Sequence, residues 1–139
     1  MSVGTGQHGA IAKFLERIFD DEISRQGLPW TAQKFTVGIQ SPRGGRWDTS
    51  WIPDVTVLTQ GQWDGLAARE AIITLAELPP LLVVEVVSDT TRTTDYRTKR
   101  SEYAVLEIPE YWIVDMTEQV VTVCTLDISK TYKSVIESL

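Results

Sequence analysis

The chain has 139 residues, 42% of them hydrophobic, and 13 Lys and Arg against 19 Asp and Glu give a formal charge of −6. That length suits one compact domain with one core, and the acidic balance argues against a basic coat that holds nucleic acid non-specifically, though it leaves a local site open. The single cysteine, Cys124, excludes an internal disulfide and a thiolate zinc site built from one chain. With no apolar run of bilayer length and no signal-peptide pattern at the start, the expectation is a soluble protein of a reducing, cytoplasmic compartment.

In chain order, "GAIAKFLERIFDDEISRQG", residues 9–27, spaces Ile11, Phe14, Leu15, Ile18, Phe19 and Ile23 by threes and fours, which predicts an amphipathic helix stopped by Gly27. "KFTVGIQ", residues 34–40, alternates and predicts a strand; "SPRGGRWD" is a turn; "WIPDVTVLT", residues 51–59, is the returning strand of a hairpin. "LAAREAIITLAEL" fits a helix or a short strand, and its β-branched "AIITL" ahead of Pro79 and Pro80 favours the strand. "LLVVEVVS", residues 81–88, is apolar on both faces, as a central strand covered on both sides would be. "TDYRTKRSEYAVLEI" predicts a helix capped by Thr93 or Thr94, with Asp95 at the positive end of its dipole and Pro109 as its stop. "EYWIVD" and "QVVTVCTL" are two more strands joined near Thr117 and Glu118, after which the chain soon ends at "YKSVIESL". The order predicts an α/β fold, a sheet flanked by helices.

Three charges stand inside this pattern. Glu85 occupies the middle of the central strand, where an ionised carboxylate costs on the order of several kcal/mol unless a partner, proton or metal compensates it. Asp54 follows a proline in an apolar strand, and Lys99 lies one turn after Asp95 on the next helix. Carboxylates on adjacent strands can converge on one divalent cation, and Mg²⁺ needs only one or two of them with a carbonyl and waters. Such an ion activates a water and stabilises charge on a phosphodiester, while a nearby ammonium orients the attacking water.

"IPDVTVL" followed by "PPLLVVEVVSDTTRTTDYRTKRSEYAVLEIPEYWIVD" resembles the Uma2 family, formerly a domain of unknown function abundant in cyanobacteria, within the PD-(D/E)xK restriction-endonuclease-like superfamily. The likeness runs from about "TGQHGAI" to "VTVCTL". It implies a restriction-endonuclease-like core of αβββαβ order and a metal-dependent nuclease acting on DNA. It also implies Asp54 and Glu85 as ligands of Mg²⁺ or Mn²⁺, with the main-chain carbonyl of Val86, and Lys99 as the catalytic cation. The superfamily's usual lysine lies two positions after the acid, where this chain has Val87; some similar members carry it on the next helix, the place of Lys99 in "DYRTK". Uma2-like chains usually carry a further N-terminal segment, so the expectation is one domain over residues 1–139, shortened at its N-terminus, pairing as a homodimer that covers exposed apolar surface. The alternative is a catalytically silent interaction or dimerisation module that keeps the nuclease fold.

Plainer roles compete for the same residues. Asp95 and Lys99, four apart with the acid first, suit a surface ion pair, and Asp54 suits a turn acceptor. His8 suits a cap or the surface. Arg43, Arg46, Arg92, Arg97 and Arg100 are either phosphate contacts or ordinary exposed charges. The five tryptophans are expected in packing, with Trp47 and Trp63 as candidates for an exposed stacking surface, and Tyr111 and Trp112 are expected to be structural.

Overall fold

The computed structural model describes residues 5–43 and 50–139. Arg46 and Trp47 fall outside that range. Helix α1, Gly6–Gln26, opens where the Thr5 hydroxyl accepts the His8 N–H at 3.1 Å. It closes at Gly27, whose φ of 65° is the left-handed conformation that lets Leu28 N–H reach back to the Ile23 carbonyl. Ala12, Leu15 and Ile23 are buried, with Ile11 and Phe19 packed beside them. Phe14 and Ile18, assigned to the apolar face by spacing, are instead 50% and 38% exposed, because they stand about a quarter-turn off the Leu15–Phe19–Ile23 stripe.

The expected strand over residues 34–40 is two strands in two sheets. Strand β1, Trp30–Lys34, stops where Phe35 adopts a φ of 54° and swings the chain out of the main sheet into β2, Gly38–Gln40. The return path is divided the same way, into β3, Ser50–Trp51, and β4, Val55–Thr59, on either side of Pro53. The antiparallel hairpin is therefore real but shared: β1 pairs with β4, and β2 pairs with β3. Helix α2, Gln60–Gly65, was not anticipated; Thr59 and Gln62 form a reciprocal capping box at its start. The short strand expected near Pro79 is present as β5, Ile72–Ile73, parallel to β2.

Strand β6, Leu82–Val87, is buried along its whole length, antiparallel to β4 and parallel to β7, Glu110–Asp115. A parallel neighbour requires a crossover, and the segment after β6 supplies it as a helix. Its first part, Thr94–Lys99, is π-helical and runs directly into α3, Arg100–Val105. Neither Thr93 nor Thr94 caps it. The start is organised upstream, where Thr91 Oγ1 accepts the Ser88 N–H at 3.1 Å and the Thr91 carbonyl accepts the Asp95 N–H at 2.8 Å.

The main sheet runs β1-β4-β6-β7-β8-β9, with β8 at Val120–Leu126 and β9 at Tyr132–Ser138. The terminal "YKSVIESL", read as a tail, is thus a strand paired along its length with β8. On one face α1 covers Val55, Val57, Leu82, Val84, Val86 and Val114. On the other, Tyr103 from α3 joins Val83, Val87, Ile108, Tyr111, Ile113 and a buried Cys124. Taken as α1, β1, β4, β6, the crossover helix and β7, the core has the expected αβββαβ order. Among the described residues no helix is long and apolar enough to cross a membrane.

Candidate functional site

Strand pairing brings the two acids together. Val55 stands opposite Val84, and continuing that antiparallel register by one residue sets Asp54 across from Glu85. The ladder itself has ended there, so the Asp54 carboxylate replaces the missing rung: its Oδ2 accepts the Val86 N–H at 2.6 Å. Its Oδ1 lies 2.9 Å from Nε2 of His8, in the first turn of α1.

Glu85 points to the opposite face from Val84 and Val86, toward the crossover helix, and is 2% exposed. Its Oε2 receives the Tyr103 hydroxyl at 2.9 Å and the Lys99 ammonium at 3.1 Å. Lys99 also lies 2.9 Å from Oδ1 of Asp95, one turn earlier on the same helix, and 5.1 Å from the centre of the Trp51 ring. Trp51 is held in turn by its indole N–H, which donates to Glu102 Oε1 at 2.9 Å. The Tyr111 hydroxyl donates to the Asp95 carbonyl at 2.8 Å, fixing the π-helical segment to the sheet.

This arrangement sets the charge states. Burial pushes the Glu85 carboxyl up, Lys99 pulls it partly back, and Asp54 and Asp95 push it further, to about 8. Burial alone would lower the Lys99 ammonium, but the facing Glu85 and Asp95 carboxylates outweigh it and leave Lys99 above its ordinary value. Burial, then Glu85, drives the Tyr103 hydroxyl well up, so it remains a hydrogen-bond donor.

Of the residues singled out from sequence, Asp54, Glu85 and Lys99 lie in one cluster. His8 belongs there too, rather than serving only at a cap or on the surface. So do Tyr103 and Trp51, for which sequence offered no signal. Three of the arginines weighed as phosphate contacts have partners within the chain. Arg92 grips the buried Asp115 carboxylate, which Tyr96 also bonds at 3.0 Å; Arg43 lies 2.6 Å from Glu102 Oε2; Arg100 donates to the Tyr132 carbonyl at 3.1 Å. Arg97 is exposed. Trp63 is not an exposed platform but packs against the cluster of Val37, Leu58, Leu66 and Ile73.

The sequence matches the Uma2 family, described as "Putative restriction endonuclease", over residues 1–137. The chain belongs to the Uma2 family. A crystal structure of "a putative nuclease belonging to DUF820" from Anabaena variabilis ATCC 29413 is similar, with a TM-score of 0.72 at 16% identity over 99% of this chain and 70% of that one. At that identity the likeness establishes a shared fold. No curated protein matches the sequence.

In this Uma2 chain the position two residues after Glu85 is Val87, which is buried in the apolar cluster under the crossover helix, and the cation facing the acid comes from that helix. With the Glu85 carboxyl raised to about 8, the metal-free cluster keeps it protonated at neutral pH beside Lys99. A divalent cation bound there would displace that proton and balance the carboxylate it leaves. Among the described residues no three His, Cys, Asp or Glu side chains form a metal cage, so an ion here would draw on main-chain oxygen and water, as Mg²⁺ commonly does.

Proposed function

We propose that the chain is a divalent-metal-dependent endonuclease that hydrolyses DNA phosphodiester bonds. The observation that carries this reading is the approach of Lys99 from the crossover helix to within 3.1 Å of Glu85, which puts acid and ammonium side by side although the position two residues after the strand acid is filled by Val87. Family membership supports the same reaction class.

In this reading Asp54 and Glu85 are the ligands, joined by the Val86 carbonyl. An extended residue turns its N–H and C=O toward the same neighbouring strand, and the Val86 N–H already meets Asp54, so its carbonyl faces the same side. Bound Mg²⁺ or Mn²⁺ supplies Lewis-acid polarisation of the phosphate and a water of lowered pKa. Lys99 orients the attacking water and offsets charge building on the phosphate oxygens, while Tyr103 and Asp95 hold Glu85 and Lys99 in place.

The competing reading, a silent module that keeps the fold, draws on one feature: both Asp54 oxygens already have partners, His8 and the Val86 N–H. The two separate experimentally. Plasmid, linear duplex and single-stranded DNA are incubated with Mn²⁺ or Mg²⁺ and wild type, Glu85→Gln or Lys99→Ala. Cutting by wild type that both variants lose supports the nuclease. A folded wild type that neither cuts nor binds Mn²⁺ overturns it in favour of the silent module.

A further inference from the structure

The two edges of the main sheet are treated differently. At the β1 edge the outward N–H groups of Ala32 and Lys34 are taken by carboxylates of α1, Asp20 Oδ1 at 3.0 Å and Glu16 Oε2 at 2.8 Å. That edge is closed to further strands. At the other edge β9 has no neighbour beyond it among the described residues, and six of its seven residues are exposed, including Val135 at 57% and Ile136 at 67%.

We infer that the chain pairs with a second copy of itself along β9, antiparallel about a two-fold axis at Val135, joining two six-stranded sheets into one. Backbone direction and side-chain order both fit. Leu139 N–H bonds the Gln119 carbonyl and the Thr131 carbonyl accepts the Asp127 N–H, so odd-numbered residues of this strand face β8. Tyr132, Ser134, Ile136 and Ser138 therefore turn their N–H and C=O groups outward. Centred on Val135, two copies set Ser134 opposite Ile136 and Tyr132 opposite Ser138; the outward groups of Ser134, Ile136 and Ser138 meet partners, and the Tyr132 carbonyl, which already accepts from Arg100 at 3.1 Å, takes the facing Ser138 N–H on its second lone pair.

The same axis sets Lys133 of each copy opposite Glu137 of the other, in the closer, non-hydrogen-bonded positions of the ladder, with Val135 against Val135 between them. Centring on Ser134 or Ile136 instead would break this charge match and leave part of β9 unpaired. Opposite charges directly across a ladder favour pairing and like charges oppose it, so the strand is self-complementary in one register. A closed two-fold pairing of this kind also consumes the open edge and leaves none for further addition.

The test is sedimentation equilibrium of the 139-residue chain as wild type, Lys133→Glu, Glu137→Lys, the double exchange, and an equimolar mixture of the two single variants. The wild type is expected to dimerise. Each single variant sets like charges across the axis at two places and is expected to weaken the dimer about tenfold or more. The double exchange and the mixture both restore opposite charges and are expected to return to wild-type association. Both side chains are exposed, and circular dichroism checks that the variants keep the fold. A monomeric wild type, or single variants that associate as the wild type does, overturns the inference.

Discussion

Asp54 Oδ2 accepts the main-chain N–H of Val86 at 2.6 Å, so a side chain just before β4 completes the ladder of β6. Asn at position 54 keeps an acceptor oxygen for that bond but loses the charge. Asp54→Asn is therefore expected to fold with little change in melting temperature while Mn²⁺ affinity falls by at least the roughly 10- to 100-fold that loss of a ligand's supporting partner costs, measured by calorimetric titration. Undiminished Mn²⁺ binding would remove Asp54 from the proposed ligand set.

The acid opposite it responds to pH. Glu85 titrates near 8 in the folded chain against 4.5 as the ordinary value, so the folded state holds a proton that the unfolded chain has released. The associated stability is complete below about pH 4.5 and is lost as pH rises through 8. Lys99, also raised, acts in the same direction at higher pH. The unfolding free energy of the metal-free chain in chelator, from urea titrations, should fall between pH 5 and 9 by on the order of a few kcal/mol. Glu85→Gln should flatten that slope while abolishing cleavage; an unchanged slope would mean another group carries it.

Tyr103→Phe deletes the hydroxyl that bonds Glu85 Oε2 and leaves the ring in its T-shaped contact with Tyr111, 5.0 Å between centroids. A buried acceptor deprived of one donor costs about 1–3 kcal/mol. Chemical denaturation should register that loss. A neutral outcome would show that Lys99 alone satisfies Glu85.

Trp51 supplies an aromatic face to the Lys99 ammonium, an attraction of roughly 0.5–2 kcal/mol in a partly desolvated setting. Trp51→Ala is expected to lower kcat up to about tenfold with little change in KM, and Trp51→Phe, which keeps a ring, to retain most of the rate. Equal losses in the two variants would point to the indole N–H and its Glu102 partner instead.

Much of this site is legible in sequence because its central feature is local. A lone acid in "LLVVEVVS" announces itself against apolar neighbours, whereas the spacing of Lys99 suits a surface pair with Asp95 and only the family resemblance directs it toward Glu85. His8 gives no such signal, since its contact with Asp54 joins the first turn of α1 to a strand 46 residues away in sequence. The division of residues 34–40 was hidden by a left-handed Phe35, a conformation no local rule assigns to phenylalanine. Helix α2 and strand β9 carry local cues that the sequence reading did not use: the Thr59–Gln62 capping pair, and the β-branched "SVI" within "YKSVIES". The arginines could be counted from sequence but not matched to Asp115, Glu102 or the Tyr132 carbonyl, because those pairings exist only after the sheet forms.

The π-helical turn at Thr94–Lys99 bears on how relatives of this chain are recognised. A widened turn is one residue longer than the α-helical turn it replaces, so it rotates everything beyond it by about 100° relative to what came before. In such a helix a single insertion or deletion decides which side chain meets the strand acid. Only where the widened turn itself absorbs an added residue does the interval between acid and lysine change by one with the spatial pair kept, and a pattern with a fixed gap would pass over such a chain.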